Sequence, residues 1–251
     1  MEVHHHSHTA DPDSHRGRKK WTHYFWEFLM LFLAVFCGFL AEYQLEHKIE
    51  KDREEQYMKS MVQDLRSDTL MLKNNITLRE SRLVMIDSMI TMLNSGAVNK
   101  YGNDIYYFAR SISPPANIFP NDGTIQQLKS SGNLRLVRNI NITNSIMAYD
   151  QKMRSALFEM GDEIQIRAEY RQLAIKLFRT NVFYEMIAAD IVSRPTDNPQ
   201  LYTNDAALIN EFIGQAQYFK RVHQAQLIKS EELLVQAKQL ITDIKKQYRL
   251  N

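Results

Sequence analysis

Cysteine is nearly absent: Cys37 is the single one in 251 residues. An internal disulfide is therefore impossible, and a cysteine-based zinc site is excluded. Glycine and proline are also scarce, at 8 and 6, too few for a sandwich or barrel that needs many tight turns. An excess of one charge sign is missing too. The 31 Lys and Arg against 29 Asp and Glu leave +2, which provides no electrostatic footprint for nucleic acid. The paired Glu-x-x-His motifs of helical di-iron centres are lacking. So are His-Glu-x-x-His, the P-loop, Gly-x-Gly-x-x-Gly and Gly-x-Ser-x-Gly. The expectation is a non-enzymatic protein without a cofactor. With 44% hydrophobic and 24% charged residues, the chain still has the composition of a folded protein.

What is present is unevenly distributed. Residues 1–23 form a polar tail holding six of the eight histidines. Among them His4, His5, His6 and His8 are candidate ligands for Zn, Cu or Ni through neutral imidazole. The competing reading is a low-complexity tail with no selected role. The tail ends in Arg16, Arg18, Lys19 and Lys20. From Phe28 to Ala41 no residue is charged, and the wider segment Tyr24–Tyr43 carries only Glu27 and Glu42, near its ends. A span needs about 20 apolar residues to cross ~30 Å of hydrocarbon. Residues 24–43 meet that length, and Trp21, Tyr24, Trp26 and Tyr43 sit where interfacial aromatic anchors belong. The reading is a single transmembrane helix contacting membrane lipid.

A cleaved signal peptide would share the basic start, but Phe39 lies two residues before Ala41, where a small residue is required. A buried core helix is disfavoured by Phe and Leu all round the helix. Residues 15–23 carry four Arg or Lys and no acid, whereas 42–56 carry three against six acids. The expected topology is a cytoplasmic N-terminus in the inner, cytoplasmic membrane and a periplasmic or otherwise extracytoplasmic C-terminal domain, residues 44–251.

That domain is expected to be all-α. Gln44 to Leu93 contains neither Gly nor Pro. Met58, Val62, Leu65, Thr69, Leu72, Ile76, Arg79, Leu83, Ile86, Ile90 and Leu93 follow alternating steps of four and three, the seam of a packed helix. Arg79 is either a snorkelling position or the partner of an acid on another helix, with a partner interface as the weaker option. A second helix is expected from Asn139 or Asn141 to near Val192, with a stripe from Ile142 to Met160, an interruption at Gly161 and a break or recap at Thr180-Asn181. A third is expected from Asn204-Asp205, with Leu227, Ser230, Leu234, Ala237, Ile241, Ile244 and Tyr248 as its seam. Matched lengths suggest that the membrane helix continues into an elongated antiparallel three-helix, coiled-coil-like bundle. The insert 97–138 would then lie at its membrane-distal tip.

One stretch resembles a known group. The aromatic-flanked span, followed later by Leu128-Lys-Ser-Ser-Gly132-Asn-Leu-Arg-Leu-Val137-Arg-Asn139, is similar to an uncharacterised family of single-span Bacteroidota membrane proteins. The resemblance implies location and architecture and no catalytic residues. Within the insert, Tyr106, Tyr107, Phe108, Ile118 and Phe119 are candidate partner anchors, since aromatics concentrate at interfaces. The plainer alternative is that they plug the open end of the bundle. Arg135 and Arg138 are either anion contacts or solvated charges. The favoured function is a membrane-anchored interaction or scaffold protein that binds a protein partner or itself. The alternative is a sensor-like domain that binds a small ligand between helices and signals through a separate subunit.

Overall fold

The computed structural model describes residues 16–188 and 191–250, with side chains described from Trp21 onward except at Ala188. His4, His5, His6 and His8 lie outside the described residues. Among those residues the chain is all-α apart from one two-residue strand pair. The helices are α1 (Arg16–Leu93), α2 (Gly102–Ser111), α3 (Gly123–Ser130), α4 (Ile140–Leu177), α5 (Thr180–Glu185) and α6 (Ala206–Tyr248). Strands β1 (Ile187–Ala188) and β2 (Ile191–Val192) pair antiparallel. The chain divides into two compact units, ending and starting at Arg53 and Glu54, and α1 contributes to both.

In the first unit α1 exposes its apolar side chains in every direction. Phe28, Phe32 and Phe36 stack on one another at i, i+4 spacing, and nothing among the described residues buries the apolar window. Among the described residues this is the one helix long and apolar enough to cross a membrane.

In the second unit local sequence explains the helix ends. Asn139 caps α4 by accepting from the Asn141 and Ile142 N–H groups, and Asp205 caps α6 through Ala207 and Leu208. Past the end of α1, Gly96 takes a left-handed φ of 70°, as Gly132 does after α3 at 67°. The expected break at Gly161 does not occur, because α4 runs through it to Leu177. A Gly costs a helix interior only about 1 kcal/mol, and the buried residues on either side outweigh that. The expected break or recap at Thr180-Asn181 falls where α5 begins, just after α4 ends at Leu177, but helix does not continue to Val192: α5 stops at Glu185 and the strand pair follows.

The largest correction concerns the insert. It does not collect at a tip but retraces α1 in the reverse direction. Asn75 bonds to Ala116, Asp68 to Asn121, Asp64 to Thr124, Tyr57 to Asn133 and Glu54 to Arg138. The insert thus makes the return journey that the expected topology gave to α4. Consequently α4 runs parallel to α1, pairing Tyr149 with Asp68, Glu163 with Arg79 and Tyr170 with Met89. Helix α6 opposes both, with Lys220 on Asp87, His223 on Arg79 and Tyr248 on Glu54. The up-down-up arrangement of three helices is therefore replaced by three helices and a broken fourth leg.

The opposite end of α1 is closed by the loop before α6. Asn198 donates to the Asn103 side chain (2.7 Å) and to the Asn99 carbonyl (2.7 Å). Gly102 lies beneath it, where a Cβ would sit 2.3 Å from the Pro199 carbonyl oxygen. Backbone has to move to admit one. Gly102→Ala should therefore lower stability by roughly 1–3 kcal/mol, read as thermal unfolding of the full chain. A loss below about 0.5 kcal/mol, the usual range for a neutral surface change, would contradict the close approach.

Candidate functional site

Two separate apolar clusters fill the second unit. One contains Met58, Leu65, Leu72, Ile146, Met153, Leu233 and Ile244. The other contains Ile86, Met89, Tyr106, Tyr170, Phe178, Phe212 and Phe219. Between them runs a layer of polar side chains withdrawn from solvent. Helix α1 supplies Asn75, Arg79 and Arg82, α4 supplies Glu163 and Arg167, and α6 supplies His223, Gln226 and Ser230.

Arg79 is the hub, and its side chain is fully buried. Its Nε donates to Asn75 Oδ1 at 2.8 Å and its Nη1 to His223 Nδ1 at 3.0 Å. Its Nη2 donates to Glu163 Oε2 at 2.9 Å and to the Ala116 carbonyl at 3.0 Å. That carbonyl also accepts from Asn75 Nδ2 at 2.9 Å. It is free to do so because Pro114, Pro115 and Pro120 keep this stretch out of a helix, so no ladder partner claims it. Arg167 Nη1 donates to the other Glu163 oxygen at 3.1 Å.

The electrostatics do not balance. Three guanidinium groups, on Arg79, Arg82 and Arg167, face one carboxylate, Glu163. Burial holds the Arg82 pKa down to about 10, against the pull of Glu163, with Arg79 and Arg167 pushing the same way as burial. Arg82 is still charged at neutral pH. Burial, then Arg79, Arg82 and Arg167, lower His223 to about 3, so its imidazole is neutral. An arginine can only donate, so His223 Nδ1 is the acceptor and Nε2 carries the proton. Among the described residues that Nε2 has no partner, and neither do Nε and Nη1 of Arg82.

The candidate anchors are dispersed. Tyr106 and Ile118 are buried, which corrects their reading as partner contacts. The Tyr106 hydroxyl ties Gln200 to Arg179, accepting from the Arg179 N–H at 2.8 Å and donating to the Gln200 carbonyl at 3.1 Å. Tyr107 and Phe108 are half-buried beneath the Arg194 guanidinium. Only Phe119 is well exposed, at 76%. The stretch 128–139 is a structural joint: Leu128 and Val137 are buried, Gly132 turns, and Asn139 caps α4. Arg135 is exposed, and Arg138 sits 3.9 Å from Glu54. Among the described residues no group of three or more His, Cys, Asp or Glu is placed to hold a metal.

Sequence reasoning missed Arg82, Glu163, Arg167 and His223. A signal existed: extending the α4 stripe from Met160 by steps of three and four lands on Glu163, Arg167 and Tyr170. Stepping back from Ser230 on α6 lands likewise on Gln226, His223 and Phe219. The outer face of α1 has its own pattern. Ser67, Leu70, Asn74, Thr77, Ser81 and Val84 recur at threes and fours, all exposed and uncharged. Comparison with family models, curated proteins and solved structures finds no match to this chain.

Removing the one carboxylate should be costly, because it leaves buried cations uncompensated. Glu163→Gln should destabilise the full chain by roughly 3–5 kcal/mol, measured by thermal unfolding; a change under about 1 kcal/mol would show that the layer is solvated. His223 has a folded pKa below its unfolded one, so the unfolded chain binds the extra proton between pH 6.5 and 3. Stability then falls as pH drops through that window, by about 2 kcal/mol from pH 7 to 5. Asp68, raised by burial, contributes with the opposite sign near its ordinary range and is common to both proteins compared. His223→Gln keeps an acceptor for Arg79 and should abolish the loss. An equal pH slope in wild type and variant would refute the assignment.

Proposed function

We propose that this protein is a membrane-anchored helical module acting through protein–protein contact, including contact with its own copies. The segment Tyr24–Tyr43 would be the anchor, in the cytoplasmic membrane, with the N-terminus cytoplasmic and residues 44–251 extracytoplasmic. The observation that carries this reading is α1 itself. Its apolar window is wholly uncovered, a state that water disfavours and hydrocarbon satisfies, since a helix meets its own backbone hydrogen bonds. Trp21, Tyr24, Trp26 and Tyr43 stand exposed at its two ends, where interfacial rings are stabilised. The resemblance to the Bacteroidota family points to the same location.

The contact surface would be the uncharged outer face of α1. Side chains such as Ser67 and Ser81 allow close helix approach, while Leu70 and Val84, exposed at 63% and 67%, supply apolar contact. A second reading, a bundle that binds a small ligand between its helices, is favoured by one observation: the uncompensated arginine layer.

Full-length protein should remain in membranes after alkaline carbonate washing. In a Cys37→Ser background, Ser81→Cys should form a disulfide-linked dimer that Leu70→Glu with Val84→Glu abolishes. Release by carbonate would overturn the anchor. Failure of Ser81→Cys to cross-link, with the protein folded, would overturn self-contact through this face.

A further inference from the structure

We infer that the arginine layer is a binding site for one small monovalent inorganic anion, of the chloride or nitrate class, held by Arg82 and His223. The inference rests on the ligand-binding reading above and specifies its ligand.

The partnerless atoms decide the ligand's sign. Arg82 Nε, Arg82 Nη1 and His223 Nε2 are all buried and all lack partners among the described residues. Each is a donor: guanidinium nitrogens cannot accept, and the Arg79 hydrogen bond to Nδ1 leaves the imidazole proton on Nε2. A buried donor without an acceptor is strongly unfavourable, more so when charged. The acceptors around Arg79 are already engaged. Glu163 uses both oxygens, one on Arg79 and one on Arg167. Asn75 Oδ1 accepts from Arg79 and from Ser230, and Ala116 O accepts from Asn75 and Arg79. The missing complement is therefore an acceptor, and the formal excess of two positive charges calls for one that is negatively charged.

Position limits its charge. Leu72 and Ile86, both fully buried, flank the layer along α1 and belong to different apolar clusters. Phe219 packs on the His223 ring with centroids 4.6 Å apart. A ligand there must shed its water, and the Born cost of doing so rises with the square of its charge. A divalent oxyanion thus faces about four times the penalty of a monovalent one of equal radius. Weakly hydrated monovalent ions are the class that fits.

The test uses the full chain in detergent, with sodium nitrate, chloride and sulfate compared against sodium gluconate at constant ionic strength. Nitrate or chloride should raise the unfolding temperature saturably, by about 5–10 °C at a hundredfold excess over Kd. Arg82→Met should abolish the anion dependence while remaining folded, since it removes two of the three partnerless donors together with a buried charge. Arg135→Gln, on the exposed surface, should leave the dependence intact. Crystals grown with bromide should show an anomalous peak within hydrogen-bond distance of Arg82, which decides the matter even if Arg82→Met does not fold. Equal effects of gluconate and nitrate, a saturable shift retained by Arg82→Met, or the absence of that peak would overturn the proposal. An organic metabolite that stabilises saturably, and loses its effect in Arg82→Met, would overturn the inorganic anion and leave the ligand-binding reading standing. No stabilising ligand of either kind would overturn both.

Discussion

A fully buried arginine has to be satisfied on every side, and Arg79 imposes that demand on four chain segments at once. It draws Asn75 from its own helix, Glu163 from α4, His223 from α6 and the Ala116 carbonyl from the insert. Apolar contacts between long helices slide at little cost, because one methyl group serves much like another. Directional bonds to a buried cation do not slide. The layer therefore sets the axial register between the apolar clusters on either side of it, a use of buried polar groups that costs stability and returns specificity.

The same logic organises the insert, whose short helices and turns cannot satisfy their own ends. Helix α1 answers with carboxylates. Asp64 accepts from the Thr124 N–H at the start of α3 (3.0 Å), where the cap residue Asp122 makes no side-chain capping bond of its own. Asp68 takes the Asn121 N–H (2.8 Å) and the Tyr149 hydroxyl (2.8 Å). Glu54 takes the Arg138 N–H (2.9 Å) and the Tyr248 hydroxyl (2.5 Å), which joins three segments at the far end. A broken leg of the bundle is thus docked by side chains of an unbroken one. Glu54, Asp64 and Asp68 of α1 are structural ligands for backbone N–H groups.

The seam of α1 shows how far periodicity carries and where it fails. Met58, Leu65, Leu72, Arg79, Ile86 and Leu93 are all buried as the spacing predicts. Of the other half of the expected seam, Thr69, Ile76, Leu83 and Ile90 are only half-buried, and Val62 alone is buried. The residues fully buried alongside the first set are Glu54, Met61, Asp68, Asn75, Arg82 and Met89. Reading hydrophobicity chose the apolar side of the helix, whereas the fold turned the helix toward its polar side. The insert packs there and offers carbonyls and N–H groups that make polar burial tolerable. Helix α6 departs in the same sense, burying Gln226, Leu233 and Leu240 where Leu227, Leu234 and Ile241 were expected.

What local sequence determines is what short-range chemistry can enforce: the uncharged span of α1, the caps at Asn139 and Asp205, the stops at Gly96 and Gly132, and helical spacing over long stretches. Each depends on residues a few positions apart. Tertiary structure alone decided that the insert is a return leg, that α4 lies parallel to α1, and that Arg79, Glu163 and His223 meet. Those three are separated by 84 and 144 positions from Arg79, and their pairing is invisible to periodicity because each, taken alone, reads as a polar interruption in an apolar stripe. Burying a charge is unfavourable until its partner arrives, so the meaning of each one exists only in the assembled layer.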